Sequence, residues 1–206
     1  MLVVGCIHGD ECAGLAVVHR LRSARAQLGL AGPIALVPNL NPDGAWRATR
    51  LNGRGVDLNR NFAAGWRLIG RRWDLQYSGP RPFSEPETRL ARDLIARLRP
   101  QVTVWFHQQR TALVRAWGQS VPAARRYACL AALPFRRLRW PAGTAPHWQN
   151  RRFAGSASFV VELARGRLSP RWAQRHARAI IRLAGGHNAT SRPAPDQRVV
   201  RCSPRS

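Results

Sequence analysis

Lysine is absent from this chain of 206 residues, so arginine supplies all 34 of its basic side chains. Acidic residues are scarce as well, because only 10 positions hold Asp or Glu, and the formal net charge is +24. A positive field of this size attracts nucleic acid, acidic membrane surfaces or anionic cell-wall polymers. The arginines are spread along the chain and do not alternate with stacking aromatic residues, so we predict no specific nucleic-acid partner.

Long hydrophobic runs are missing too. No stretch approaches the roughly 18 uninterrupted apolar residues of a membrane-spanning helix, so no membrane span is predicted. Residues 1–7 are too short for a secretory signal and have no basic flank. The four cysteines have neither C-x-x-C spacing nor the density of a disulfide scaffold. Neither the compartment nor the oligomeric state of the protein follows from these features.

Apolar residues make up 45% of the chain and include eight Trp and six Phe, which excludes a wholly disordered protein. Short apolar runs without alternation predict strands covered on both faces. They lie at residues 2–7, 34–38, 102–106 and 159–163. Segments of helical period lie at 12–27, 85–98, 122–133 and 170–183. Their alternation with the strands predicts a layered α/β fold with a largely parallel sheet.

The composition changes near the end of the chain. Residues 1–184 contain all the periodic segments, and the length suits a single folded domain. Residues 185–206 are rich in Arg, Pro and Ser and show little periodicity, so we predict a mobile tail there.

Residues with metal-binding or acid–base chemistry follow three of the predicted strands or lie within them. His8 and Glu11 are three apart where a strand turns into a helix, so they can bind one ion together. His107 ends the third predicted strand and Glu162 lies in the fourth. Ligands of open α/β sheets collect beyond the carboxyl ends of strands, so these side chains can meet. The alternative for His8 and Glu11 is a solvated pair at a helix start. His107 is alternatively an interior histidine. Glu162 is alternatively a carboxylate paired with an arginine such as Arg165.

Six ordered motifs carry more information than these single residues. They are HGDE at 8–11, NPDG at 41–44, GVDLNRNF at 55–62, SEPET at 84–88, FH at 106–107 and FVVEL at 159–163. In this order they resemble the M14 zinc carboxypeptidases, and most closely the short bacterial branch that includes murein peptide amidases. The resemblance covers residues 2–184, which it implies to be a zinc peptidase catalytic domain. It also implies a three-layer α/β/α, zinc-carboxypeptidase-like fold with a mixed, largely parallel sheet.

The resemblance assigns the catalytic centre to four positions. His8, Glu11 and His107 are similar to the family's zinc ligands, which implies one Zn²⁺ per chain. Three such ligands leave a coordination position for water, whose pKa zinc lowers towards about 7. Glu162 resembles the catalytic carboxylate, which accepts a proton and passes it to the leaving amine.

The resemblance also implies how the substrate is held. Asn59 and Arg60 are similar to the pair that binds a substrate carboxylate, and the planar guanidinium of Arg60 suits paired hydrogen bonds. Either Arg47 or Arg50 resembles the arginine that polarises the scissile carbonyl and stabilises the oxyanion. Arg50 is favoured because shorter bacterial relatives keep this arginine closer to the GVDLNRNF motif.

Several residues depart from the family pattern. The larger digestive carboxypeptidases have a tyrosine on a mobile loop before the catalytic glutamate, but the only tyrosines here are Tyr77 and Tyr127, outside the matching stretch. Residues 143–148 resemble the pocket-forming turn of the short relatives instead. Pro146 and His147 are therefore expected to shape the substrate-binding pocket, and a surface histidine is the alternative for His147.

Two further departures concern the substrate and the start of the sheet. In the amidases an aspartate follows the third zinc ligand, whereas Gln108 stands at this position. Family members have sheet strands before the strand that carries the first zinc ligand, so we expect N-terminal strands, and any signal sequence with them, to be missing.

The sequence as a whole predicts a zinc-dependent carboxypeptidase or amidase that hydrolyses an amide bond next to a free carboxylate. Its substrate is expected to be a peptide, and a cell-wall (murein) peptide is one candidate. One alternative is an N-acyl amino acid deacylase of the desuccinylase and aspartoacylase type. Another is a non-catalytic basic protein that binds an anionic polymer.

Overall fold

The computed structural model describes residues 1–28 and 34–185. Strands and helices alternate along most of this length. The strands are β1 (Leu2–Val4), β2 (Ala35–Val37), β3 (Val102–Gln109), β4 (Leu113–Ala116), β5 (Phe135–Arg137) and β6 (Ala157–Ala164). The helices are α1 (Gly14–Leu28), α2 (Pro42–Arg47), α3 (Pro86–Leu98), α4 (Val121–Ala131), α5 (Ala145–Arg152) and α6 (Pro170–Gly185). Short 3-10 turns lie at Leu58–Arg60 and Gly118–Ser120.

The six strands form one sheet in the order β2-β1-β3-β6-β4-β5. Four of the five strand pairs are parallel, and only β4 runs antiparallel to its neighbour β6. The predicted mixed, largely parallel sheet is therefore confirmed. In the pairing of β3 with β6, His107 lies directly beside Glu162.

Helices cover both faces of the sheet. Buried residues of α1, α4 and α6 pack on one face, and buried residues of α3 and α5 pack on the other. Because successive side chains of a strand point to opposite faces, Phe159 and Val161 of β6 join the first cluster while Val160 joins the second. Glu162 follows the same alternation and lies on the α3 and α5 side. The three-layer α/β/α arrangement is confirmed.

The four predicted strands and four predicted helices are all present, but β4 and β5 were missed. Both are short, and two of the three residues of β5 are arginines, which suits an exposed sheet edge better than a buried run. The short helices α2 and α5 were also not predicted. The predicted tail lies outside the described residues, apart from Gly185 at the end of α6. None of the described helices is long and apolar enough to cross a membrane.

A buried polar pair joins α4 to α6 beneath the sheet. The Tyr127 hydroxyl lies 2.7 Å from Nδ1 of His176, and both residues are almost completely buried. Burial, followed by the charge of Arg175, lowers the pKa of His176 from 6.5 to about 4. The histidine is therefore neutral at physiological pH, so its Nδ1 can accept the hydrogen bond from the tyrosine.

This pair predicts a loss of stability in mild acid. Between pH 6.5 and pH 4 the unfolded chain binds a proton at His176 that the folded protein does not. His176 should therefore lower the free energy of unfolding as the pH falls, by about 2 kcal/mol between pH 8 and pH 5. Urea unfolding at both pH values measures this loss. A Tyr127→Phe/His176→Phe double variant leaves no buried polar group unpaired and should lose about 2 kcal/mol less than the wild type. An equal loss in both proteins would contradict the prediction.

Candidate active site

The turn that leaves β1 carries the first two predicted metal ligands. A disulfide joins Cys6 to Cys12, at a sequence separation of 6, and closes a ring that contains His8 and Glu11. In the chain-entropy account, closing so short a loop lowers the conformational entropy of the unfolded chain. This stabilises the folded state by about 2 kcal/mol. The cysteine spacing did not predict this bond, which constrains the turn that holds both ligands.

The three predicted ligands meet at one point. Nδ1 of His8 lies 3.0 Å from Oε2 of Glu11, and Nδ1 of His107 lies 2.9 Å from the same oxygen. The two Nδ1 atoms are 3.1 Å apart. Atoms that bind one zinc ion at about 2.0–2.2 Å must lie within a few ångströms of each other, so this set fits a zinc ion. The two imidazoles are also almost completely buried, which limits competition from bulk water.

Asp57 orients the first of these ligands. Its Oδ1 lies 3.0 Å from Nε2 of His8, and the aspartate itself is completely buried. Burial acts to raise the pKa of Asp57, but the charge and hydrogen bond of His8, together with the charge of Arg50, lower it well below its usual range. A carboxylate here favours a hydrogen on Nε2 and leaves the Nδ1 lone pair for a metal. No role was predicted for Asp57 from the sequence, although this residue belongs to the GVDLNRNF motif.

Arg50 links the two carboxylates of this cluster. Its Nη1 donates to Oε1 of Glu11 at 2.9 Å, and its Nε donates to Oδ2 of Asp57 at 2.9 Å. Burial acts to raise the pKa of Glu11, but hydrogen bonds with His107 and His8 lower it far below its ordinary value. Glu11 is therefore ionised, as a metal ligand must be.

The structure separates the two arginine candidates for carbonyl polarisation. Arg50 lines the cavity that contains the metal ligands. Arg47 is exposed, and its guanidinium lies over the ring of Trp46, 5.9 Å from the ring centroid. Arg47 is not among the residues that line the cavity.

Glu162 projects into the same cavity and has an arginine partner that the sequence did not reveal. Nη1 of Arg115 donates to Oε1 of Glu162 at 2.9 Å. The expected alternative partner, Arg165, makes no salt bridge within the described part of the chain. Arg115 was missed because it lies on β4, one of the strands without a clear sequence signal.

Asn59 and Arg60 lie beside the third ligand. The Asn59 side-chain oxygen accepts a hydrogen bond from the Ala145 amide at 3.0 Å, which turns its nitrogen towards Nε2 of His107, 3.4 Å away. Nη1 of Arg60 donates to the backbone carbonyl oxygen of Asn59 at 2.9 Å, and Arg60 lines the cavity. No carboxylate among the described residues lies within salt-bridge distance of Arg60.

The remaining predicted positions divide between the cavity and its surroundings. The cavity has a volume of about 250 Å³, and Pro146 lines it whereas His147 does not. Gln108 lines it too, but its side chain hydrogen-bonds to backbone atoms of Ala13, Ala164 and Gly166.

Neither tyrosine of the chain takes the position that the digestive enzymes fill. Tyr127 is buried in the core with His176, on the other side of the sheet, and Tyr77 does not line the cavity.

Similarity to known proteins agrees with this geometry. Residues 1–157 match the family model described as zinc carboxypeptidase, Peptidase_M14. Murein peptide amidase A of Escherichia coli K12 is 36% identical over 118 residues, which are 52% of this chain and 48% of that protein. Carboxypeptidase B of Astacus astacus is 34% identical over 104 residues, which are 40% of this chain and 34% of that protein. The chain thus matches about half the length, or less, of these relatives.

The fold is similar to that of a solved relative. The crystal structure of murein-tripeptide amidase from Escherichia coli O157 superposes with a TM-score of 0.69 and 27% identity, over 89% of this chain and 80% of that one. The family match covers most of the chain and includes His8, Glu11 and His107. The chain therefore belongs to the M14 family of zinc carboxypeptidases.

Proposed function

We propose that this protein is a zinc-dependent metallopeptidase that hydrolyses an amide bond next to a free carboxylate. One Zn²⁺ per chain is held by His8, Glu11 and His107. The observation that carries the proposal is that Glu162 and Arg60, which has no carboxylate partner of its own among the described residues, line the same cavity as these ligands. Murein peptides are the favoured substrate class, because relatives named as amidases of murein peptides share the sequence and the fold.

The groups of this cavity divide the work of amide hydrolysis. Zinc held by such ligands supplies a Lewis acid and lowers the pKa of water towards about 7. Glu162 takes the proton of the attacking water and delivers it to the departing amine nitrogen. The guanidinium of Arg50, fixed by Glu11 and Asp57, offers positive charge where the carbonyl oxygen becomes negative. Asn59 and Arg60 hold the carboxylate that follows the scissile bond, with Pro146 on the pocket wall.

The metal assignment predicts that each chain binds about one zinc ion and that His107→Ala removes most of it, because two ligands remain. Elemental analysis of purified protein after zinc loading and desalting measures the stoichiometry. His19→Ala is the matched control, since His19 is an exposed residue of α1 and should leave the zinc content unchanged. Equal zinc in the wild type and His107→Ala would remove His107 from the site.

The catalytic assignment predicts that the zinc-loaded wild type hydrolyses blocked dipeptides or wall tripeptide. Mass spectrometry of the products measures this hydrolysis. Glu162→Gln should keep its zinc and its fold but lose activity by a factor of at least about 100, because the amide cannot carry the proton. Near-wild-type turnover by this variant at full zinc occupancy would refute the role of Glu162.

A panel of blocked dipeptides, wall tripeptide and acyl amino acids separates the proposed function from its alternatives. Cleavage of acyl amino acids alone would indicate a deacylase of the desuccinylase type. No cleavage of any substrate by zinc-loaded protein would favour a non-catalytic protein that binds an anionic polymer. The presence of all three ligands and of Glu162 argues against this last alternative.

The role of Arg60 predicts that Arg60→Lys weakens substrate binding although the charge is retained. A planar guanidinium can form two parallel hydrogen bonds with a carboxylate, whereas an ammonium acts as a point charge. The KM of the variant should rise about tenfold for a free carboxylate and by less than about twofold for the amidated substrate. A loss of the same size on both substrates would show that Arg60 does not bind the carboxylate.

A further inference from the structure

Arg115 faces the cavity from the antiparallel strand β4. It pairs with Val160 across the sheet, and both residues line the cavity together with Arg60 and Glu162. Its guanidinium contacts Glu162 through Nη1 alone, and this is the one hydrogen bond that the Arg115 side chain makes to described residues. An arginine side chain has five N–H donors, so most of the donors of Arg115 are unused. Its Nε is buried without a partner.

The three arginines of the cavity, Arg50, Arg60 and Arg115, differ in whether a carboxylate offsets their charge. Arg50 is offset by Glu11 and Asp57, and Arg115 is offset by Glu162, but Arg60 has no carboxylate partner among the described residues. Burial lowers the pKa of Arg60, the negative charge of Asp57 opposes this, and the positive charges of Arg50 and Arg115 lower the pKa further. A divalent metal adds two more positive charges. One substrate carboxylate therefore leaves the cavity with an excess of positive charge.

Part of the cavity wall is apolar, and it includes Val160, the cross-strand partner of Arg115. Val160, Trp140, Pro141 and Pro146 line the same cavity, and such surfaces pack well against the methylene groups of a side chain. An acidic side chain could place its methylenes on this wall and its carboxylate at the unused donors of Arg115. Charge-assisted hydrogen bonds of this kind are stronger than neutral ones.

We infer that Arg115 is a specificity-determining residue that binds a second carboxylate, on the side chain of the residue released by hydrolysis. The inference rests on the proposed function, because it places the terminal carboxylate of that residue at Arg60. It predicts a preference for an acidic C-terminal residue over its neutral isostere.

The test compares N-acetyl-Ala-Glu with N-acetyl-Ala-Gln, which differ only in the charge of the terminal side chain. Zinc-loaded wild type should show a kcat/KM about tenfold or more higher for the Glu substrate, and in Arg115→Gln the ratio should fall to about one. Losing the contact with Glu162 slows both substrates alike, so the ratio isolates substrate recognition. Arg110→Gln, at an exposed arginine outside the cavity, is the charge-matched control and should keep the wild-type ratio. The Arg115→Lys variant should retain part of the preference for the Glu substrate.

A binding measurement separates failure of this inference from failure of the proposed function. Calorimetry should show that free L-glutamate binds zinc-loaded wild type about tenfold more tightly than L-glutamine, and that Arg115→Gln removes the difference. An unchanged ratio of kcat/KM for the Glu and Gln substrates in Arg115→Gln would overturn the role of Arg115. A preference for acidic residues only at the penultimate position would do the same. Neither result would contradict the proposed peptidase function. If no peptide is hydrolysed, the proposed function fails, and the binding of the two amino acids still decides whether Arg115 recognises a carboxylate.

Discussion

The carboxylate of Asp57 is completely buried, and its two oxygens contact three different segments of the chain. Oδ1 faces Nε2 of His8 and also accepts the backbone amide of Asn59, while Oδ2 accepts Nε of Arg50. The turn after β1, the segment before the GVDLNRNF motif and the 3-10 turn that presents Asn59 and Arg60 are therefore held against one buried anion. An unpaired carboxylate at this depth would be costly, so these partners stabilise one another.

The arginine-rich composition has a different meaning inside the cavity from that on the surface. Surface arginines contribute little to stability through single ion pairs. Arg50 and Arg115 are only 21% and 26% exposed, and each pairs with a carboxylate of the site at 2.9 Å. In a chain with only 10 acidic residues, three of them, Glu11, Asp57 and Glu162, lie in this one region. The scarce negative charges are thus concentrated around His8 and His107 and beside two guanidiniums of the cavity.

The mixed sheet decides which side chains can share the cavity. Parallel pairing of β3 with β6 places His107 beside Glu162, and alternation turns both towards the side covered by α3 and α5. The antiparallel strand β4 then brings Arg115 to the same face. Glu162 uses only one nitrogen of the Arg115 guanidinium, so the other donors of this side chain are not taken up by that ion pair.

The sequence by itself determined the family and the alternation of strands and helices, and it predicted the site residues His8, Glu11, His107 and Glu162, which line one cavity. These are local properties, since motif spacing and apolar periodicity lie within short windows. The sequence favoured Arg50 over Arg47, but only the tertiary structure placed Arg50 in the cavity and Arg47 outside it, joined Cys6 to Cys12, and placed Arg115 next to Glu162. The strand that carries Arg115 has four residues, too few for a periodic signal, and its position depends on pairing with a strand more than 40 residues away. Such a contact follows from the register of the folded sheet and not from any local pattern.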